Sequence, residues 1–231
     1  MLSLITGVGS RGQVGETVAG ALARRGDTVL VVSRSEDEVR ARAAELVAAG
    51  YDAHGYACDL ADAHGVSQLA TRARQHGERL DALVNLAGGF GVTGPIADSD
   101  PATFDRMFRI NLTTAYLATR ALYPLVRTAG GSIVFFASEA VLDGQPARNT
   151  AAYVAAKSAV VALMRSVADE GREHGVRANA LAPSAIRTAT NEASMARDTH
   201  YVEREEVASV VAFLCSPAAV AITGQVIRLR R

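Results

Sequence analysis

Two rhythms of apolar residues alternate along the chain. Short continuous runs such as Val29-Leu30-Val31-Val32 are separated by longer stretches in which apolar positions recur at helical spacing, as Val14, Val18 and Leu22 do. The runs predict strands at 2–6, 28–32, 52–57, 81–85, 132–137, 176–182 and 225–229. Helices fill the intervals. The first closes at Gly26, and the second opens at Ser35-Glu36-Asp37-Glu38, read as a capping box, and ends at Gly50. Another opens at Asp100-Pro101, where proline suits the first helical position, and runs to 128; one more spans 151–168. Strands apolar on both sides belong to a parallel sheet covered on both faces. Seven of them alternating with helices predict an α/β fold: a doubly wound, Rossmann-like sheet forming a single domain over 1–231.

Composition excludes several classes. Of 231 residues, 49% are apolar and 21% charged, which is globular usage and not that of a disordered chain. The 24 basic and 24 acidic residues cancel, so neither nucleic acid nor anionic lipid is an expected partner. Cys58 and Cys215 lie far apart and make neither a disulfide framework nor a metal pattern, and the five histidines show no ligand spacing. No continuous apolar run approaches the roughly 18 residues of a membrane span. The chain opens without a positive segment before an apolar one, so a cytoplasmic location is expected. One bias becomes useful: among the 24 basic residues only Lys157 is lysine. It marks a place where arginine, planar and differently hydrated, would not serve.

Three motifs carry chemistry. The first strand runs into Gly7-Val8-Gly9-Ser10-Arg11-Gly12-Gln13-Val14-Gly15, a glycine-rich turn opening a helix. Such a turn lets the backbone approach a pyrophosphate, which rests on the helix N-terminus. At the end of the second strand, a carboxylate would hold the ribose of NAD; Ser33-Arg34-Ser35 stands there instead. Arg34, joined by Arg11, could pair with the 2′-phosphate of NADP, and the two predict roughly a hundredfold preference for NADP(H). In Tyr153-Val154-Ala155-Ala156-Lys157 the phenol and the ammonium share one helical face. From Thr150 to Met164 the only charge is Lys157, so the helix is expected to be buried. An ammonium about 4 Å from the phenol would draw its pKa down toward neutrality, where it serves as acid and base for a carbonyl–alcohol pair.

Taken together, the glycine turn, Asn85-Leu86-Ala87-Gly88, Ser138, Tyr153-x-x-x-Lys157 and Pro183 resemble the short, single-domain branch of the short-chain dehydrogenase/reductases, in matching order over nearly the whole chain. The resemblance implies NAD(P)(H) bound on a Rossmann-like sheet and hydride transfer to or from a small carbonyl or alcohol. Tyr153 would be the acid/base, Lys157 would lower its pKa and hold the nicotinamide ribose, Ser138 would orient the substrate oxygen, and Asn111 would hold a water in the proton relay. Asp59 and Leu60 would meet adenine, while Asn85, Ala87 and Gly88 would border the cofactor and Ile186 and Thr188, after Pro183, the nicotinamide. The family also implies a homodimer or homotetramer, which fits helices apolar on more than one face, with Phe104, Met107, Tyr116 and Leu117 among their residues.

The departures from the family pattern are specific. The glycine loop carries one extra residue before Gly12 and another before Gly15, Leu86 and Ser184 replace usual residues, and the substrate lid has only 189–203 to draw on. Phe90, Val92, Val141, Leu142 and Met195 are expected to make an apolar substrate pocket. The competing reading is a dinucleotide-binding regulatory or structural protein with little turnover. The complete Asn111, Ser138, Tyr153 and Lys157 set argues against it; the altered loop and short lid argue for it.

Overall fold

The computed structural model describes all residues 1–231. Its sheet contains β1 (Leu2–Thr6), β2 (Thr28–Ser33), β3 (Ala53–Ala57), β4 (Ala82–Asn85), β5 (Ser132–Phe136), β6 (Arg177–Pro183) and β7 (Val226–Leu229), in the spatial order β3-β2-β1-β4-β5-β6-β7. Every pairing is parallel. All seven predicted strands are present, with ends shifted by a residue where a turn takes over the backbone hydrogen bonding.

The sheet faces two separate cores, and strand alternation decides which residue enters which. Leu4, Leu30, Leu83, Ile133 and Phe135 point to one side, where α3 (Ala63–Arg74), α5 (Thr114–Ala129) and α6 (Ala151–Gly171) cover them. Their neighbours Ile5, Val31, Val84, Val134 and Phe136 point to the other, against α1 (Val14–Arg24), α2 (Glu36–Ala48) and α8 (Arg204–Leu214). Both neighbours in each strand must therefore be apolar, which is why the runs read as continuous. Two further helices, α4 (Pro101–Phe108) and α7 (Ala189–Ser194), lie at the carboxyl ends of the strands.

The order of strands reverses between β1 and β4, and a crevice opens there. Thr6 closes its floor. Its Oγ1 accepts from the amides of Leu86 at 3.0 Å and Ala87 at 3.1 Å, and donates to the Val84 carbonyl at 3.2 Å. Gly7 (φ +79°) turns directly above, where a β-carbon would lie 2.9 Å from the Ala87 amide nitrogen.

Three local expectations are corrected. The helix expected over 101–128 is interrupted: α4 and α5 are joined by a wide π turn, Arg109–Thr113. Asn111 at its centre explains the widening, because its Nδ2 donates to the Met107 carbonyl at 3.0 Å, the group its own backbone amide would take in an α-helix. The capping box at Ser35 is half made. Ser35 Oγ accepts from the Glu38 amide at 3.3 Å, but the Glu38 carboxylate turns away to the glycine loop. Finally, Ala151–His174 does reach the length and hydropathy of a membrane span. Here that apolar character serves the interior, since Val160, Met164, Val167 and Ala168 are buried against the sheet.

Candidate active site

Four side chains from three elements meet at the carboxyl ends of β4 and β5. Tyr153 and Lys157 come from one face of α6, Ser138 follows β5, and Asn111 sits in the π turn. Gly88 makes their approach possible: a β-carbon there would lie 2.6 Å from Asn111 Oδ1 and 3.3 Å from Lys157 Nζ. Asn111 is fully engaged, its Oδ1 accepting from the Gly89 amide at 3.1 Å and its Nδ2 donating to the carbonyls of Gly89 and Met107. Phe90, of the expected apolar pocket, packs edge-on against the Tyr153 ring with centroids 5.0 Å apart. Val92 and Met195 are exposed, whereas Val141 and Leu142 are half-buried against the core.

The electrostatics correct the sequence expectation. Lys157 is buried as predicted, but its ammonium donates to the Phe136 carbonyl at 2.7 Å and stands 6.0 Å from the centre of the Tyr153 ring. Burial pushes Tyr153 above its usual range, and hydrogen bonding to the Ser138 hydroxyl pulls it back only partly. Lys157 itself is brought down to about 8 by burial. The phenol is therefore protonated at neutral pH, because desolvation outweighs the Ser138 hydrogen bond.

The predicted cofactor residues divide. Gly7, Gly9 and Gly12 line the loop between β1 and α1, and Val14 opens α1 with its side chain buried. Pro183 ends β6, Ile186 forms a bridge to Val202, and Thr188 Oγ1 caps α7 by accepting from the Asn191 amide at 3.1 Å. The lengthened loop meets the lid directly: the Ala189 amide donates to the Gly12 carbonyl and Gln13 Nε2 to Thr190 Oγ1, both at 3.0 Å. Asp59 is exposed and paired with Arg109 at 3.2 Å, while Leu60 is buried. Ala87 and Gly88 border the crevice.

Two expected residues point elsewhere. The Asn85 side chain turns into the core face and donates to Thr119 Oγ1 on α5 at 2.8 Å. Arg11 is ion-paired with Glu45 on α2 and does not join Arg34, which is exposed and has no carboxylate partner. Sequence reasoning missed Glu38. Its Oε1 accepts from Ser10 Oγ at 2.7 Å, and a β-carbon on Gly9 would lie 2.9 Å from its Oε2 and 2.8 Å from Ser33 Oγ. A carboxylate thus stands between the glycine loop and the end of β2 after all, supplied from the first turn of α2. The signal was the acidic residue at the third position of the apparent capping box.

A family model described as enoyl-(acyl carrier protein) reductase matches residues 7–229. The 2-(S)-hydroxypropyl-CoM dehydrogenase 3 of Xanthobacter autotrophicus is 33% identical, over 95% of this chain and 91% of its own. The chain belongs to the short-chain dehydrogenase/reductase family. Two solved structures extend the likeness to the fold: an NAD+-bound xylitol dehydrogenase (25% identity, 99% and 97% of the two chains, TM-score 0.89) and an actinorhodin polyketide ketoreductase variant with NADPH (27%, 99% and 95%, 0.88). As a short-chain dehydrogenase/reductase, the protein is an oxidoreductase of hydroxyl and carbonyl groups on an NAD(P)-binding Rossmann fold.

Within this short-chain dehydrogenase/reductase, Lys157 leaves a measurable trace in stability. Its folded pKa of about 8 lies below the ordinary 10.5, so the unfolded chain binds more protons between those values and stability rises with pH there. The free energy of unfolding of the wild type, minus that of Lys157→Met, is expected to climb by roughly 3 kcal/mol from pH 8 to 10.5. Urea titrations across that range check it; a flat difference would show that the ammonium is not desolvated.

Proposed function

We propose that the protein interconverts a small carbonyl compound and its secondary alcohol with NADP(H), Tyr153 acting as general acid and base. The observation that carries this is the meeting of Tyr153, Ser138, Lys157 and Asn111 beside Gly88 at the switch point of the sheet. The residues fit a dinucleotide. Gly7, Gly9 and Gly15 let the loop pack where β-carbons would collide with Ala87, Ser33 and the Gly7 carbonyl, and the Gly12 amide already donates to a carboxylate, Glu16 Oε2, at 2.8 Å. Gly7, Gly9, Gly12 and the start of α1 would hold the pyrophosphate, and Thr188 with Ile186 would border the nicotinamide, which supplies or takes up the hydride.

The chain's own residues then handle the oxygen and its proton. A substrate oxygen placed between Ser138 and Tyr153 receives hydrogen bonds from both hydroxyls. The protonated phenol suits it to donate that proton in the reductive direction, while oxidation requires the phenolate and so gains from higher pH. Asn111, locked by three hydrogen bonds, fixes the π turn beside Lys157 and serves as a positioning residue. Tyr153→Phe removes only the hydroxyl; turnover of an active substrate, found on a carbonyl panel with NADPH, is expected to fall more than a hundredfold at unchanged cofactor affinity. Retention of a tenth of the wild-type rate would overturn the role.

The preference for NADP(H) rests on Arg34, with no protein partner beside the end of β2. It is smaller than two arginines would give, because Arg11 is held by Glu45 and the Glu38 carboxylate repels a 2′-phosphate. About tenfold is expected. Fluorescence titrations with NADPH and NADH should show Arg34→Ala erasing that preference and Glu38→Gln raising it; equal wild-type affinities would remove NADP(H) from the proposal.

Association into a homodimer, or a homotetramer built from it, is supported by Phe104 and Tyr116, both nearly half exposed on α4 and α5. Light scattering at micromolar concentration is expected to show at least a dimer, and a monomer refutes it.

A further inference from the structure

On the outer side of the glycine loop, between α1, α2 and the start of α8, lies a groove of about 630 Å³. It exists because α1 presents small residues there, Thr17 and Gly20 among them, opposite Arg42 and Leu46 of α2. Four guanidiniums line it, from Arg11, Arg24, Arg42 and Arg204, against three carboxylates, Glu16, Glu45 and Glu205. Their compensation is incomplete. Glu45 Oε1 is shared between Arg11 and Arg42, Arg204 reaches Glu16 only at 4.0 Å, and Arg24 folds over Gly20 with no carboxylate partner. Arg42 is the informative one: its side chain is 8% exposed, and its Nε is buried with no hydrogen-bond partner. Glu45 holds its Nη2, so Arg42 brings a fixed positive charge to the groove wall, with the unpartnered Nε buried behind it.

We propose that this groove binds a small phosphate-bearing molecule between Arg24 and Arg42, at a site separated from the dinucleotide crevice by the glycine-loop wall of Val8, Arg11 and Gly12 that the two share. Arginine forks match phosphate oxygens in pairs, and low-dielectric walls strengthen the attraction. The anion would sit between Arg24 and Arg42, relieving the demand on Glu45, while Leu46, Ala49 and Tyr51 offer an apolar and aromatic wall to the remainder of the molecule. The volume suits a ligand of metabolite size.

The test is calorimetric titration of the full chain with inorganic pyrophosphate, with and without saturating NADH. Saturable binding is expected in both conditions, weakened at least tenfold by Arg24→Gln and by Arg42→Met, with NADH affinity unchanged in each variant. Arg24 is exposed, so its variant keeps the test valid if Arg42→Met is destabilised. Absence of saturation overturns the proposal. Binding unaltered by Arg24→Gln identifies an adventitious ion only and also overturns it. Pyrophosphate displaced by NADH would belong to the dinucleotide crevice, which overturns the separate site and leaves the proposed reaction standing.

Discussion

A side chain at position 88 would have to push Asn111 aside, and the arrangement of the candidate site follows from that close approach. Asn111 Oδ1 occupies the space a β-carbon would need and Lys157 Nζ borders it, so the π turn and α6 close on the same backbone point at the end of β4. The same logic repeats at Gly7, whose missing side chain lets the glycine loop lie on Ala87 while Thr6 clasps that strand from below. Backbone contacts of this kind cannot drift, because any relative shift of β1 and β4 breaks the Thr6 hydrogen bonds. The site is rigid where strand meets strand and adaptable only where loops complete it.

Much of this was legible beforehand because the informative signals are local. A parallel sheet buried on both faces leaves continuous apolar runs, as residues 29–32 of β2 and 133–136 of β5 show, whereas the edge strands β3 and β7 are only partly buried and carry His54 and Arg228. Tyr153 and Lys157 are one helical turn apart, so their shared face follows from periodicity alone. The burial of Lys157 was readable for the same reason, since its helix is almost uncharged.

What escaped reading depends on where long side chains end. Arg11 and Glu38 lie on opposite sides of the gap between the glycine loop and α2, and the helix register determines that Arg11 meets Glu45 while Glu38 meets Ser10. No spacing in the sequence encodes that pairing. Asn85 shows the same limit on a strand. Its neighbours border the crevice, yet alternation turns its own side chain toward Thr119 and the opposite core. The π turn was hidden because Asn111 Nδ2 takes the Met107 carbonyl in place of its own amide, and the contacts to Gly89 that hold the side chain there come from a residue distant in sequence.

Tyr153 and Lys157 are driven by burial in opposite senses of charge but toward the same neutral state. Desolvation raises Tyr153 and lowers Lys157, each toward its uncharged form. Stabilising a phenolate therefore requires the lysine to remain charged in surroundings that oppose it, and the Phe136 carbonyl contributes to that by accepting from the ammonium. A guanidinium would hold its charge without such help, but its broad fork would need the space beside Gly88 that the compact ammonium already fills to 3.3 Å of a virtual β-carbon. The single lysine in a chain that otherwise uses arginine is thus explained by shape as much as by acidity. The site needs a cation small enough to sit beneath Gly88, with a single carbonyl to anchor it.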